Sequence, residues 1–246
     1  RKKRSRIAAW GITFLLPLLL VFYSWFMEHR PRLHDSKEWN LQDTLIQNSD
    51  LLMAAVFLVL SLLPFYLMFD RRKAQARDLV PIALMAAMCV VGRTAFSIVP
   101  LPNFKPCSAI IMITAIVFGP ETGFLTGALT AFVSNFIFGQ GPWTPFQMFS
   151  WGILGFIAGL LAAPLKKSRI ALTLYAVLSG VLYSFLMDIW TVLWADGAFN
   201  ISRYLAAILS AAPFTAIYAV SNTVFLLLFA RPIGKILDRL KTKYAL

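Results

Sequence analysis

Two charged side chains stand well inside apolar runs, where a charge costs on the order of 2.5–3.5 kcal/mol at mid-helix and therefore reads as functional. Arg93 lies six residues from one end of its run and Asp188 six from the corresponding end of its own. At 1.5 Å per helical residue both sit about 9 Å below the same surface. Two chemistries suit that placement: a mutual ion pair joining two helices, or two handles for a polar ligand. Asn135 and Gln147 fall near the same level and join the candidate site, although either could simply cap a helix or bond across to a neighbouring helix. Two connections at that level complete a candidate site. Pro100, Pro102, Asn103, Phe104, Lys105 and Pro106 form one, and residues 139–145, with Trp143 at the centre, form the other. Proline fixes φ and glycine permits tight turns, so such loops hold defined shapes with few hinges. Trp151, Tyr183, Trp190 and Trp194 add aromatic faces, suited to stacking on a ligand or, for Trp194 at a run's end, to anchoring at the interface.

The elements that must position these residues are membrane helices. Of 246 residues, 59% are hydrophobic and 14% charged, with mean hydropathy +0.72, too apolar for a wettable domain of this size. Apolar runs at 7–26, 51–69, 79–99, 107–118, 123–138, 146–163, 170–194 and 204–230 give eight expected spans. The run 107–118 rises only about 18 Å as a helix against about 30 Å of hydrocarbon, so it is re-entrant or is lengthened through Phe104 and Pro106. The run 7–26 follows a basic end but lacks a small-residue cleavage site, so it is expected to stay as a span.

The net charge of +12 would suit nucleic acid only if it formed one basic face. Instead, 17 of the 23 Lys and Arg fall in four clusters beside apolar runs: Arg1 to Arg6, Arg71 to Arg77, Lys166 to Arg169, and Arg231 to Lys243. Alternating spans put all four on one side, the positive-inside pattern, and predict cytoplasmic N and C termini. The opposite side receives the 27–50 loop and the Pro- and Gly-rich connections.

A boundary falls at 70–78. The two leading runs read as plain lipid-facing Leu, Phe and Val, whereas the later six carry most of the Gly, Ala and polar residues that let helices approach closely in lipid. We therefore divide the chain into an N-terminal transmembrane hairpin, 1–77, and a six-helix substrate-binding membrane domain, 78–246. Three small-residue pairs stand one turn apart within it: Ala83 and Ala87, Gly123 and Gly127, Gly155 and Gly159. Each serves either packing within the domain or docking of another membrane protein.

What is missing narrows the mechanism. There is no P-loop, no G-x-S-x-G, no H-E-x-x-H and no carboxylate relay beyond Asp188. Cys89 and Cys107 fit neither a disulfide framework nor a zinc ribbon, and no metal site is expected. A self-powered pump, an intramembrane hydrolase or any other enzyme is not expected. The spans do not divide into two similar halves, which weakens an ion-coupled secondary carrier using Arg93 and Asp188. A capture subunit dependent on a separate motor, or a non-transporting scaffold, remains.

The stretch "ALMAAMCVVGRTAFSIVPLPNFKPCSAI" and the following "FGPETGFLTGALTAFVSNFIFGQGPWTPFQMFSWGILGFIAGLL" resemble the substrate-binding S components of energy-coupling factor (ECF) vitamin transporters. The resemblance covers roughly residues 78–230. It implies a six-helix bundle with cytoplasmic termini, in a multi-pass protein of a prokaryotic cell membrane. Ala83 and Ala87 match the A-x-x-x-A element by which those proteins dock on a transmembrane coupling subunit. That subunit is driven by two cytoplasmic ATPases, so ATP hydrolysis is implied in the partners and not in this chain. The implied mechanism is capture of a vitamin from outside and toppling in the membrane to release it, with the outer loops as gates. The leading hairpin departs from the six-helix pattern. The hairpin and "GQGPWTPFQM" look most similar to the cobalamin-type S component, which implies cobalamin (vitamin B12) as the transported ligand, with a queuosine precursor or pantothenate as alternatives. On these combined grounds the substrate-binding set is Arg93, Asn103, Phe104, Lys105, Asn135, Trp143, Gln147, Trp151, Tyr183, Asp188 and Trp190.

Overall fold

The computed structural model describes residues 76–196 and 200–244, together with the isolated helical positions Leu18, Phe22, Trp25, Val56, Val59 and Leu60. The two leading runs expected as a hairpin otherwise lie outside the described residues, and within the described residues the expected count of spans is not supported. Within them the chain is all-helical: α1 Ala76–Ala95, a 3-10 turn Phe96–Ile98, α2 Cys107–Phe118, α3 Pro120–Phe138, α4 Trp143–Leu160, α5 Ala162–Lys167, α6 Arg169–Asp196 and α7 Ile201–Tyr244. Three stretches are long and apolar enough to cross a membrane by length and composition: Leu79–Ile98, Arg169–Ala195 and Ile201–Tyr244.

The short run is a buried central helix. Ten of the 12 residues of α2 are buried, and α1, α3, α4 and α7 surround it. A helix apolar on every side is expected in such a place. It is not lengthened through Phe104: the helix begins at Cys107 with Pro106 as its N-cap. The thiols of Cys89 and Cys107 each donate to the other residue's carbonyl, at 3.6 and 3.3 Å, and so join α1 to the start of α2.

The tightest crossing is between α3 and α4. A Cβ added at Gly155 would lie 2.4 Å from the Gly123 carbonyl oxygen, and one at Gly127 would lie 2.5 Å from the Trp151 backbone. No side chain fits at that separation, so both Gly pairs are consumed by packing within the domain. Ala83 and Ala87 differ. They are exposed, while Met85, Ala86 and Cys89 on the other side of the same helix are buried.

One end of the bundle is basic. Lys166 on α5 pairs with Asp238 on α7 at 3.3 Å, and Lys241 donates to the Val117 carbonyl at the C-terminus of α2, at 2.6 Å. An ammonium there satisfies a helix-end carbonyl and meets the negative end of the helix dipole. The expected last span, 204–230, is part of a longer helix: α7 runs on through the basic cluster to Tyr244, with Pro213 and Pro232 inside it. Its 44 residues extend about 66 Å, beyond any bilayer core. Arg93, Asn135 and Gln147 stand at the opposite end, where α3 finishes and α4 begins.

Candidate functional site

Arg93 is placed by the last turn of α1. Its Nη1 donates to Ser134 Oγ and, at 2.8 Å, to Asn135 Oδ1, both on α3. A guanidinium has no acceptor, so Asn135 must present its oxygen and turn its amide nitrogen the other way. That nitrogen donates to Gln147 Oε1 at 2.8 Å and to Thr144 Oγ1 at 3.0 Å. Gln147 is oriented in turn, and its Nε2 donates to Tyr183 OH at 3.1 Å. One cation thus sets the direction of a hydrogen-bond chain through α1, α3, α4 and α6, and such chains strengthen cooperatively away from water.

Aromatic rings underlie the chain. The Arg93 guanidinium lies 4.3 Å from the centroid of Phe138 and 5.4 Å from that of Trp151, distances that suit cation–π attraction. Trp151 stacks on Tyr183, centroids 5.9 Å apart, and Tyr183 meets Tyr218 at 4.6 Å. Trp151 Nε1 donates to Tyr218 OH at 2.8 Å, and Ser108 shares that hydroxyl.

The loop after α1 closes over Arg93. Its backbone is held by α7: the Lys105 N–H donates to Ser221 Oγ at 2.9 Å, and Ser221 Oγ donates to the Lys105 carbonyl at 3.1 Å. Phe104 packs against Phe225 at 5.1 Å. Asn103 takes φ 64°, the left-handed conformation, and is the one non-Gly residue to do so among the described residues; Asn tolerates it better than most residues. Between this loop and α1 lies a cleft of about 160 Å3, lined by Arg93, Phe96, Ser97, Val99, Leu101, Pro102, Asn103, Phe104, Lys105 and Phe138. Burial, reinforced by the Arg93 guanidinium and partly offset by Cys107, lowers the Lys105 pKa to about 8.

The structure therefore gathers most of the expected site. Arg93, Asn103, Phe104 and Lys105 line the cleft, while Asn135, Gln147, Trp151 and Tyr183 form the wall behind Arg93. Trp143 is not at the centre of a loop. It is the first residue of α4, its ring lies over Gly141, where a Cβ would be 2.3 Å from it, and it meets Trp190 edge-on at 6.0 Å. Trp190 stacks in turn on Trp194. Asp188 stands apart. No ion pair joins it to Arg93, and its Oδ2 is buried without a hydrogen-bond partner. Equal depth did not mean contact, because Arg93 turns its Nη1 to α3 whereas Asp188 is carried by α6. Among the described residues no group of three or more His, Cys, Asp or Glu side chains could hold a metal.

Sequence reasoning missed Ser134, Tyr218 and Ser221, and it reached Thr144 only as a member of the 139–145 connection. Tyr218 and Ser221 sit on one face of α7, three residues apart inside an apolar helix, and that isolated polar stripe was the available signal.

The family described as ECF-type riboflavin transporter, S component, matches residues 73–239. The chain is similar to the UPF0397 protein of Aliivibrio salmonicida (strain LFI1238), 29% identical over 147 residues covering 58% of this chain and 77% of the relative. It is also similar to UPF0397 proteins of Aliivibrio fischeri (strain MJ11), 29% identical over 146 residues with 58% and 76% covered, and Vibrio atlanticus (strain LGP32), 29% identical over 163 residues with 61% and 85% covered. No solved structure matches it.

Proposed function

The chain belongs to the ECF-type riboflavin transporter S component family, and from that premise we propose that it captures a vitamin from outside the cell at the Arg93 end and delivers it through a coupling subunit docked on α1. Membership makes it a membrane substrate-binding subunit of an ECF importer, and it implies transmembrane and ATPase partners. The observation that carries the reading is the division of labour along α1. Its last turn supplies Arg93 to the cleft, and its outward face leaves Ala83 and Ala87 uncovered although the glycine pairs are packed against neighbouring backbone. A smooth alanine face admits close approach by another helix in lipid.

In this reading the basic end is cytoplasmic, as the positive-inside rule requires, the termini lie there, and the protein sits in a bacterial plasma membrane. The cleft of about 160 Å3 is smaller than the roughly 300–1,000 Å3 of ordinary ligand pockets. Binding then involves opening of the 99–106 and 139–142 connections, which act as gates. Cobalamin is the ligand carried forward, from the resemblance of residues 139–148. Riboflavin, named in the family's description, is the second. The purified chain in detergent should bind one vitamin, read by mass spectrometry of co-purified solute and by thermal stabilisation with cobalamin, riboflavin and pantothenate. No stabilisation by any of them, and no co-purified solute, would overturn capture.

A further inference from the structure

We propose that the cleft between α1 and the 99–106 loop is an anion subsite, in which a carboxylate or phosphate group of the captured solute sits between Arg93 and Lys105. The inference rests on the capture reading and adds a substrate class to it. Two cations line one small cleft, and no carboxylate is among its lining residues. Both hydrogen bonds of Arg93 leave from Nη1 and end on neutral groups, so its Nη2 and Nε have no acceptor among the described residues. The backbone of Lys105 is fixed by Ser221, but among the described residues its ammonium is not tied to an acid. Uncompensated charge below a membrane surface is costly and is normally paired. Asp188, the carboxylate that sequence depth would have paired with Arg93, lies on α6 and forms no ion pair with it.

Lys105 is also poised to respond. Burial comes first in lowering its pKa and the Arg93 charge second. An anion between the two cations would relieve that repulsion and raise the Lys105 pKa again. Planar guanidinium donors suit the paired oxygens of a carboxylate or phosphate. Asn103, in its left-handed conformation, and Ser97 offer neutral hydrogen-bonding groups at the same rim.

The subsite separates the ligands already in view, since cobalamin carries a phosphodiester, pantothenate a carboxylate and riboflavin no anionic group. The test compares matched probes on the purified full chain at pH 7: flavin mononucleotide against riboflavin, pantothenate against panthenol, and cobalamin against cobinamide. In the pair that binds, the anionic member should bind about tenfold or more tightly, the scale of charge-assisted hydrogen bonds. The ratio should fall towards one in Arg93→Gln and in Lys105→Gln. The second variant leaves both backbone bonds to Ser221 in place, so it keeps its fold. Equal or tighter binding of the neutral member, or a ratio that survives in either variant, overturns the anion subsite alone. Binding of none of the six overturns capture as well. A lipid headgroup as occupant would appear as stabilisation by phosphatidylglycerol nanodiscs that depends on Arg93, with no effect of the soluble anions, and that too overturns the proposal.

Discussion

Arg93 Nη1 meets Asn135 Oδ1 at 2.8 Å, and this bond sets the orientation of both amides behind it. Because Arg93 can only donate, Asn135 must accept from it and donate onward, and Gln147 then donates to Tyr183. The cation at the mouth of the cleft and the aromatic wall are one polar network.

Removing the central amide should unpair three partners at once. Asn135→Ala leaves Arg93, Thr144 and Gln147 each short of a bond, and it should cost about 2–3 kcal/mol. Thermal unfolding in detergent measures this. A transition unchanged from that of the parent chain would mean that Asn135 does not organise the network.

The small-residue pairs should divide sharply. Gly155→Leu forces a side chain into the space where even a Cβ would approach the Gly123 carbonyl at 2.4 Å. That variant should fail to give a monodisperse protein, because the α3–α4 crossing cannot widen without opening the core. Ala83→Leu, on the exposed face, should change the unfolding temperature little. Size-exclusion profiles of the two variants decide it.

Docking on α1 gives a different signature. Replacing Ala83 and Ala87 together by Trp should leave vitamin binding to the isolated chain within about twofold, a difference of under about 0.5 kcal/mol. Assembly with the coupling subunit, read by pull-down, should be lost. If assembly survives, another face of the domain docks.

Lys105 gives a pH dependence of known sign. Its ordinary pKa of 10.5 falls to about 8 in the fold, so between those values the unfolded chain holds a proton that the folded chain has released. Stability therefore rises with pH across that window. The Arg93 guanidinium and the Cys107 thiol face Lys105, and among the described residues no carboxylate lines the cleft. Lys105→Met should flatten the rise between pH 8 and 10.5 in unfolding scans. In the parent chain, affinity for an anionic probe should decline above about pH 8 as the ammonium is lost.

The helices α1 to α4, α6 and α7 were legible because apolar runs are a strong signal, although only three stretches are long and apolar enough to cross a membrane, and Arg93 was legible because a charge in such a run is conspicuous. Partners were less so. Sequence depth placed Arg93 and Asp188 on one level, but depth fixes only one coordinate, and the rotation of each helix sent Arg93 to α3. The length of α7 was missed because its basic cluster reads as a tail outside the membrane, whereas Lys241, bonding the end of α2, holds that cluster against the bundle. The three small-residue pairs were indistinguishable in sequence. Only the direction in which each faces separates Gly123 and Gly155, which are buried, from Ala83 and Ala87, which are exposed.

The most direct measurement is uptake by proteoliposomes with an external vitamin, made with the chain alone and with the chain joined to an ECF coupling subunit and its ATPases. The expected result is binding without accumulation for the chain alone under any ion gradient, and accumulation only when the partners and internal ATP are present. Accumulation against a gradient by the chain alone would contradict a capture subunit that lacks its own motor.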